Sequence, residues 1–160
     1  MSAPDQGCSF TLSLPCSREA AFDLFVDGFG NWWPKDYAFS GDTLQEIGIE
    51  PQLGGACYEQ TTTGQRIVWG TVLSIERPLY IRLAWQIGPD REIIADPAAA
   101  SRVMVVFREL REGSSMELTH SEFLRHGVNG EAYREAMASE EGWPRCLEAF
   151  RKKAEALARR

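Results

Sequence analysis

His120 is the residue in this sequence best placed to do chemistry. It stands in the alternating run Met116, Leu118, His120, so it shares a face with two apolar residues and points inward if they do. An inward imidazole titrating near neutrality can orient a ligand carbonyl or act as a general acid or base. The same placement suits a core histidine bonded to a backbone group or a carboxylate. Glu122, two residues on and in phase, is the candidate partner, while His126, in the Arg125 to Val128 loop, reads as surface.

Metal and nucleophile chemistry finds less support. Cys8, Cys16, Cys57 and Cys146 lie far apart and form no C-x-x-C pair; Cys8 follows the phase of Phe10, and Cys146 adjoins Leu147. With the two histidines in separate contexts, no metal site is expected. The chain has no G-x-S-x-G elbow, P-loop, Rossmann glycine signature or H-E-x-x-H. No cofactor is expected, and no catalytic residue is assigned. Asp90, Glu92 and Asp96 read as a solvated acidic loop.

Five tryptophans carry more information. Trp32 continues a stripe through Phe22, Phe25 and Phe29 at helical spacing, whereas Trp33 falls off it and precedes Pro34, whose ring pushes the preceding residue out of helical geometry. Trp32 is therefore expected to pack, and Trp33 to cover or line an entrance. Trp69 is in phase with Thr71, Leu73 and Ile75, Trp85 with Leu83 and Ile81, and Trp143 opens a stripe with Leu147, Phe150, Ala154 and Leu157. Each serves equally as core or as cavity wall. Tyr58 and Tyr80 can place a hydroxyl at that wall or at the surface.

The elements that must position these residues follow from hydrophobic period. Cys8, Phe10, Leu12 and Leu14 alternate as a half-buried strand closed by Pro15; Ser17 caps a helix through Val26, and the stripe to Trp32 extends as a second short helix. Strand signals run over Leu44 to Ile49, Ala56 to Gln60, Arg66 to Glu76, Leu79 to Ile87, Ser101 to Leu110 and Ser115 to Leu124, joined by short turns that favour an antiparallel sheet. Gly88 to Ala100 reads as an excursion or mobile loop. Gly130 to Ser139 reads as a helix, and the last helix tolerates Pro144 in its first turn. The fold class is α+β, a curved antiparallel sheet of about six or seven strands wrapped around a long C-terminal helix, in one domain over 1–160 with its core at about 8–157.

Composition narrows the partners. Seventeen basic against 23 acidic residues give a net charge of -6, which argues against nucleic acid. The basic cluster Arg151, Lys152, Lys153, Arg159 and Arg160 ends a helix, where cations suit the dipole. No run approaches 18 apolar residues, so no membrane span is expected. Reduced thiols and an N-terminus without an apolar leader point to the cytoplasm.

Several motifs, in order, resemble one family. Trp32-Trp33-Pro34, Ile49-Glu50-Pro51, Gly54-Gly55, Tyr58-Glu59, Trp69-Gly70-Thr71-Val72-Leu73, Glu76-Arg77-Pro78, Leu83-Ala84-Trp85, Leu118-Thr119-His120 and Gly142-Trp143 are similar to the bacterial family named after the activator of the heat-shock-protein-90 ATPase, within the SRPBCC, START or birch-pollen-allergen-like superfamily. The resemblance implies a helix-grip fold with a cavity between sheet and last helix, which in many relatives holds an apolar molecule. On that basis a small hydrophobic or aromatic ligand is expected. Its walls are expected to come from Tyr58, Trp69, Leu73, Leu83, Trp85, Phe107, Leu118 and His120 on the sheet, Trp143 and Leu147 on the helix, and Trp33 at the entrance. The alternatives are a cyclase, dehydratase or hydrolase on the same scaffold, a co-chaperone-like module, and a homodimer formed through a sheet edge or the Gly88 to Ala100 loop.

Overall fold

The computed structural model describes residues 7–158. Strand β1 (Cys8–Leu14) leads into helices α1 (Arg18–Val26) and α2 (Phe29–Trp32). Six further strands follow: β2 (Leu44–Ile49), β3 (Ala56–Thr61), β4 (Arg66–Glu76), β5 (Tyr80–Trp85), β6 (Ser101–Glu109) and β7 (Ser114–Ser121). Helices α3 (Gly130–Ala138) and α4 (Trp143–Ala158) complete the described residues. The seven strands form one antiparallel sheet in the order β1-β7-β6-β5-β4-β3-β2, so the chain's first strand closes beside its last. With α4 held against the sheet's inner face, this is a helix-grip α+β fold.

Local chemistry explains the elements. The Ser17 hydroxyl accepts from the Ala20 amide at 3.1 Å and starts α1, which buries Ala21, Phe22, Leu24, Phe25 and Val26. Helix α4 buries Trp143, Cys146, Leu147, Phe150 and Ala154, a stripe of period near 3.6. That stripe meets α1 and α2, where Phe150 packs edge-on to Phe25 at 5.7 Å and Trp32 at 5.2 Å. Beneath them lie the inward residues Ile81, Leu83, Val103, Val105, Phe107, Met116 and Leu118, all buried.

Four expectations need correction. β7 stops at Ser121 rather than Leu124, because Glu122 takes a left-handed conformation (φ 61°) and the chain enters tight turns over Phe123–Asn129. The alternation of β4 is broken twice, with register shifts between Cys57 and Tyr58 on the β3 side and between Val72 and Ser74 on the β5 side. Trp69 and Val72 are therefore buried, while Leu73 falls in the second bulge, half-buried and outside the core. Tyr58 sits on the outer face of β3, where its hydroxyl donates to Glu46 at 2.7 Å and Arg66 lies 4.2 Å over its ring. Last, 88–100 is folded back rather than loose. Ile87 bridges to Ile93, and the buried Gln86 side chain accepts from the Thr71 hydroxyl at 2.5 Å and donates to the Ile94 carbonyl at 2.8 Å.

Among the described residues no helix is long and apolar enough to cross a membrane. In the basic cluster near the C-terminus, Arg151 pairs with Glu148 and Glu155, and Arg159 and Arg160 lie outside the described residues.

Candidate functional site

Five tryptophans and their neighbours form a continuous aromatic column from the α1–α2 corner to the open end of the sheet. Trp33 lies 6.3 Å from Trp69, stacked, 6.0 Å from Trp85 and 6.1 Å from Trp143, both edge-on. Pro34 acts as the sequence suggests, since Trp33 caps α2 in an extended conformation (φ -62°, ψ 130°). Its indole nevertheless turns inward and is only 8% exposed, against 3% for Trp32. The division between a packing and a covering tryptophan is corrected accordingly: Trp33 does both.

The deep end of the column is closed. His120 is fully buried, its ring stacked 4.1 Å from Phe123. Its Nδ1 accepts from the Trp143 indole N–H at 3.0 Å, so in the neutral ring the proton sits on Nε2 and is donated to Ser101 Oγ at 2.7 Å. Ser101 is left to donate onward to His126 Nε2, also at 2.7 Å, and its own backbone N–H donates to the same nitrogen at 3.3 Å. The result is a one-way relay, Trp143 to His120 to Ser101 to His126. Burial holds the His120 pKa well below the usual imidazole value, with His126 adding to the effect. Burial lowers His126 as well, against an opposing pull from Glu92.

Both ring nitrogens of His120 are thus occupied and shut off from the cavity. It is a structural histidine, not a cavity-wall orienter or base. Glu122, the expected partner, instead pairs with Arg125 at 2.9 Å. His126 is half-buried rather than on the surface; its Nδ1 is enclosed and has no partner among the described residues.

The open end differs. A cavity of about 430 Å³ opens between the segment after α2, the 86–95 hairpin, α3 and the start of α4, a volume within the roughly 300–1,000 Å³ of small-molecule sites. Trp33, Tyr37, Phe39, Trp85, Ile87, Tyr133 and Met137 give it an apolar, largely aromatic lining. Arg91 and Glu141 bring charge to its rim.

Each wall is fixed by a specific device. The segment carrying Tyr37 and Phe39 is gripped by Glu59, a carboxylate only 1% exposed. Glu59 accepts from the Phe39 amide at 2.9 Å, the Ser40 amide at 2.9 Å and the Ser40 hydroxyl at 2.7 Å. The hairpin wall is closed by the Gly88 amide donating to the Glu92 carbonyl at 2.8 Å, with the Ile94 amide donating to the Gln86 carbonyl at 2.9 Å. Tyr133 ties α3 to the sheet: its hydroxyl accepts from Trp85 Nε1 at 2.9 Å and donates to the Ile87 carbonyl at 2.6 Å, and burial raises its pKa. The α3–α4 corner turns at Gly142, since any Cβ there would meet the Met137 carbonyl oxygen at 2.2 Å. Cys146 completes the floor, its thiol pushed up to about 12 by burial and therefore uncharged.

Of the residues expected to line a cavity, Trp33 and Trp85 do so. Trp69, Leu83, Phe107, Leu118, Trp143 and Leu147 are brought together behind it in the hydrophobic core, with His120 buried against them. Leu73 and Tyr58 are elsewhere. Tyr37, Phe39, Tyr133 and Met137 were missed. Tyr133 and Met137 are spaced four apart on a predicted helix, a one-face signal that could have found them; Tyr37 and Phe39 lie in irregular chain with no period to read. A second hollow of about 400 Å³ lies between α2 and β2, but Asp27, Asn31, Lys35, Gln45 and Glu46 make its walls polar. Among the described residues no three His, Cys, Asp or Glu side chains converge as a metal site.

Comparison with known proteins places the fold. The family described as Activator of Hsp90 ATPase homolog 1-like protein matches residues 15–155. No curated protein matches the sequence at a significant level. Among solved structures, a complexed anthrahydroquino-gamma-pyrone synthase is 25% identical with a TM-score of 0.63, covering 95% of this chain and 99% of the other. The self-sacrificing resistance protein CalC from Micromonospora echinospora is 22% identical with a TM-score of 0.67, over 96% of each chain. An AHSA1-like protein from Aeromonas hydrophila is 16% identical with a TM-score of 0.59, over 95% of this chain and 94% of the other. At such identities the last two speak for the fold alone.

Proposed function

Because the chain belongs to the Activator of Hsp90 ATPase homolog 1-like family, we propose that it is a binding module for a small hydrophobic, flat or aromatic molecule held at the open end of the aromatic column. The observation that carries this reading is the cavity of about 430 Å³ walled by Trp33, Trp85, Tyr37, Phe39 and Tyr133. Aromatic walls give a flat ligand dispersion and edge-to-face contacts, and water displaced from such walls favours binding. The ligand site is not the space directly under α4, which side chains fill, but the mouth beyond it.

The test is a titration with N-phenyl-1-naphthylamine, a neutral fluorescent probe. Energy transfer from Trp33 and Trp85 should make the signal saturable, with one site per chain. Ala136→Trp, which puts an indole at the rim from an exposed helix position, should abolish binding and leave the thermal midpoint unchanged. Absence of saturation in the native protein would end the reading.

An enzyme on this scaffold is a second reading, favoured by the likeness to a synthase at 25% identity. It would have to draw on Tyr133 rather than His120, and Tyr133 already donates and accepts one bond each. A cytoplasmic setting suits the four free thiols. Among the described residues a homodimer or a co-chaperone-like contact has no comparable feature in its favour.

A further inference from the structure

Resting on the cavity being a ligand site, we infer that it takes an apolar ring system bearing one anionic oxygen group, of the carboxylate, phenolate or sulfonate class, and that Arg91 receives that group.

The first ground is charge. In a chain of net charge -6, Arg91 is the cation among the cavity's lining residues. The second is that it is unspent. Arg18, Arg66, Arg77, Arg82, Arg108, Arg125, Arg134, Arg145 and Arg151 each reach a carboxylate within 4.0 Å; among the described residues Arg91 reaches none, nor do Arg111 and Arg102, the last of which donates to the Pro97 and Ala100 carbonyls away from the cavity. The acids nearest the rim each have another partner. Asp36 is taken by Arg145 at 2.9 Å, Glu92 accepts from the Asp90 amide at 3.0 Å beneath Gly88, and the Glu141 carboxylate lies 3.3 Å from the Tyr37 hydroxyl.

The third ground is that the guanidinium is held in place before any ligand arrives. Arg91 adopts a left-handed backbone (φ 63°), unusual for a residue with a side chain. One terminal nitrogen donates to the Tyr37 carbonyl at 2.7 Å, and the guanidinium lies 5.1 Å over the Phe39 ring. A guanidinium has five N–H donors; among the described residues one of them is used. The remainder present a planar fork suited to an oxyanion, beside aromatic walls that exclude water.

A matched pair of probes separates this inference from the reading on which it rests. 1-Anilinonaphthalene-8-sulfonate and N-phenyl-1-naphthylamine share their rings and differ by one sulfonate. The anion should bind about two- to fivefold more tightly, the range for a rim charge pair. Arg91→Met should erase that preference, read as the ratio of the two affinities within one variant, and 0.5 M sodium chloride should weaken only the anion. Arg91→Gly, which suits the positive φ, repeats the measurement should the Met variant disturb the hairpin. An anion preference that is absent, or that persists in both variants, overturns the inference and leaves the cavity reading intact. Failure of both probes to bind the native protein overturns the cavity reading and, with it, the inference.

Discussion

The two ends of the aromatic column are built from the same residue types and behave oppositely. At the deep end Trp143, His120 and Ser101 bond to one another in sequence, each donor of the chain matched to an acceptor. No polar atom of His120 is left for a ligand. At the mouth, Trp33 and Trp85 present equally aromatic surfaces, but Tyr37, Phe39 and Met137 stop short of filling the space, and Arg91 has donors to spare. The presence of buried histidine and tryptophan therefore says little about function. What separates wall from core is whether the side chains supplied by other elements close the gap.

That contrast can be attacked at several points. The largest expected effect is at the deep end: Trp143→Ala removes a buried indole and strands His120 Nδ1, and should cost about 4–5 kcal/mol in urea unfolding. A loss below about 2 kcal/mol would show that the deep end is not the structural anchor. Next is Glu59→Gln. It replaces a buried carboxylate that accepts three donors, so about 2–3 kcal/mol of stability should go, together with weaker binding of N-phenyl-1-naphthylamine as the Tyr37–Phe39 wall loosens. Unchanged probe affinity would separate that wall from the site.

The relay also predicts a pH dependence. The folded protein keeps His120 neutral to well below its ordinary pKa of 6.5, whereas the unfolded chain binds a proton near that value. Below about pH 6.5 the unfolded state holds the extra proton, so stability rises with pH and falls as pH is lowered. The limiting slope is about 1.4 kcal/mol per pH unit for this one residue. His120→Gln should flatten the urea midpoint between pH 6.5 and 5; an unchanged slope would sink the assignment. The smallest stability effect belongs to the mouth. Met137→Ala, at a half-buried rim position, should cost about 1 kcal/mol or less while changing probe affinity severalfold.

Much of the scaffold was legible because a buried face imposes a period. The alternation of Cys8, Phe10, Leu12 and Leu14 and the stripe of Trp143, Leu147, Phe150 and Ala154 each belong to one element packed on one side, and both appear as expected. The illegible parts depend on two elements at once. In β3 the sequence offers Tyr58 or the set Cys57, Glu59, Thr61 as the inner face, and apolar preference favours the tyrosine. The polar set faces in, because Glu59 meets the unpaired amides of Phe39 and Ser40. Leu73 was lost to a bulge, a mismatch between paired strands that neither strand shows alone.

By itself, then, the sequence determined the α+β layout of an antiparallel sheet around a long last helix, the inward direction of His120 and the departure of Trp33 from its helix at Pro34. These are consequences of local sterics and of period, whereas the helix-grip family was legible only as a likeness of motifs in order. Only the tertiary structure decided that His120 is sealed by Trp143 and Ser101, that Trp33 both packs and lines, and that the open space lies at the mouth between the hairpin and α3. A cavity is a volume that several distant segments fail to fill, and no single stretch of chain carries that information.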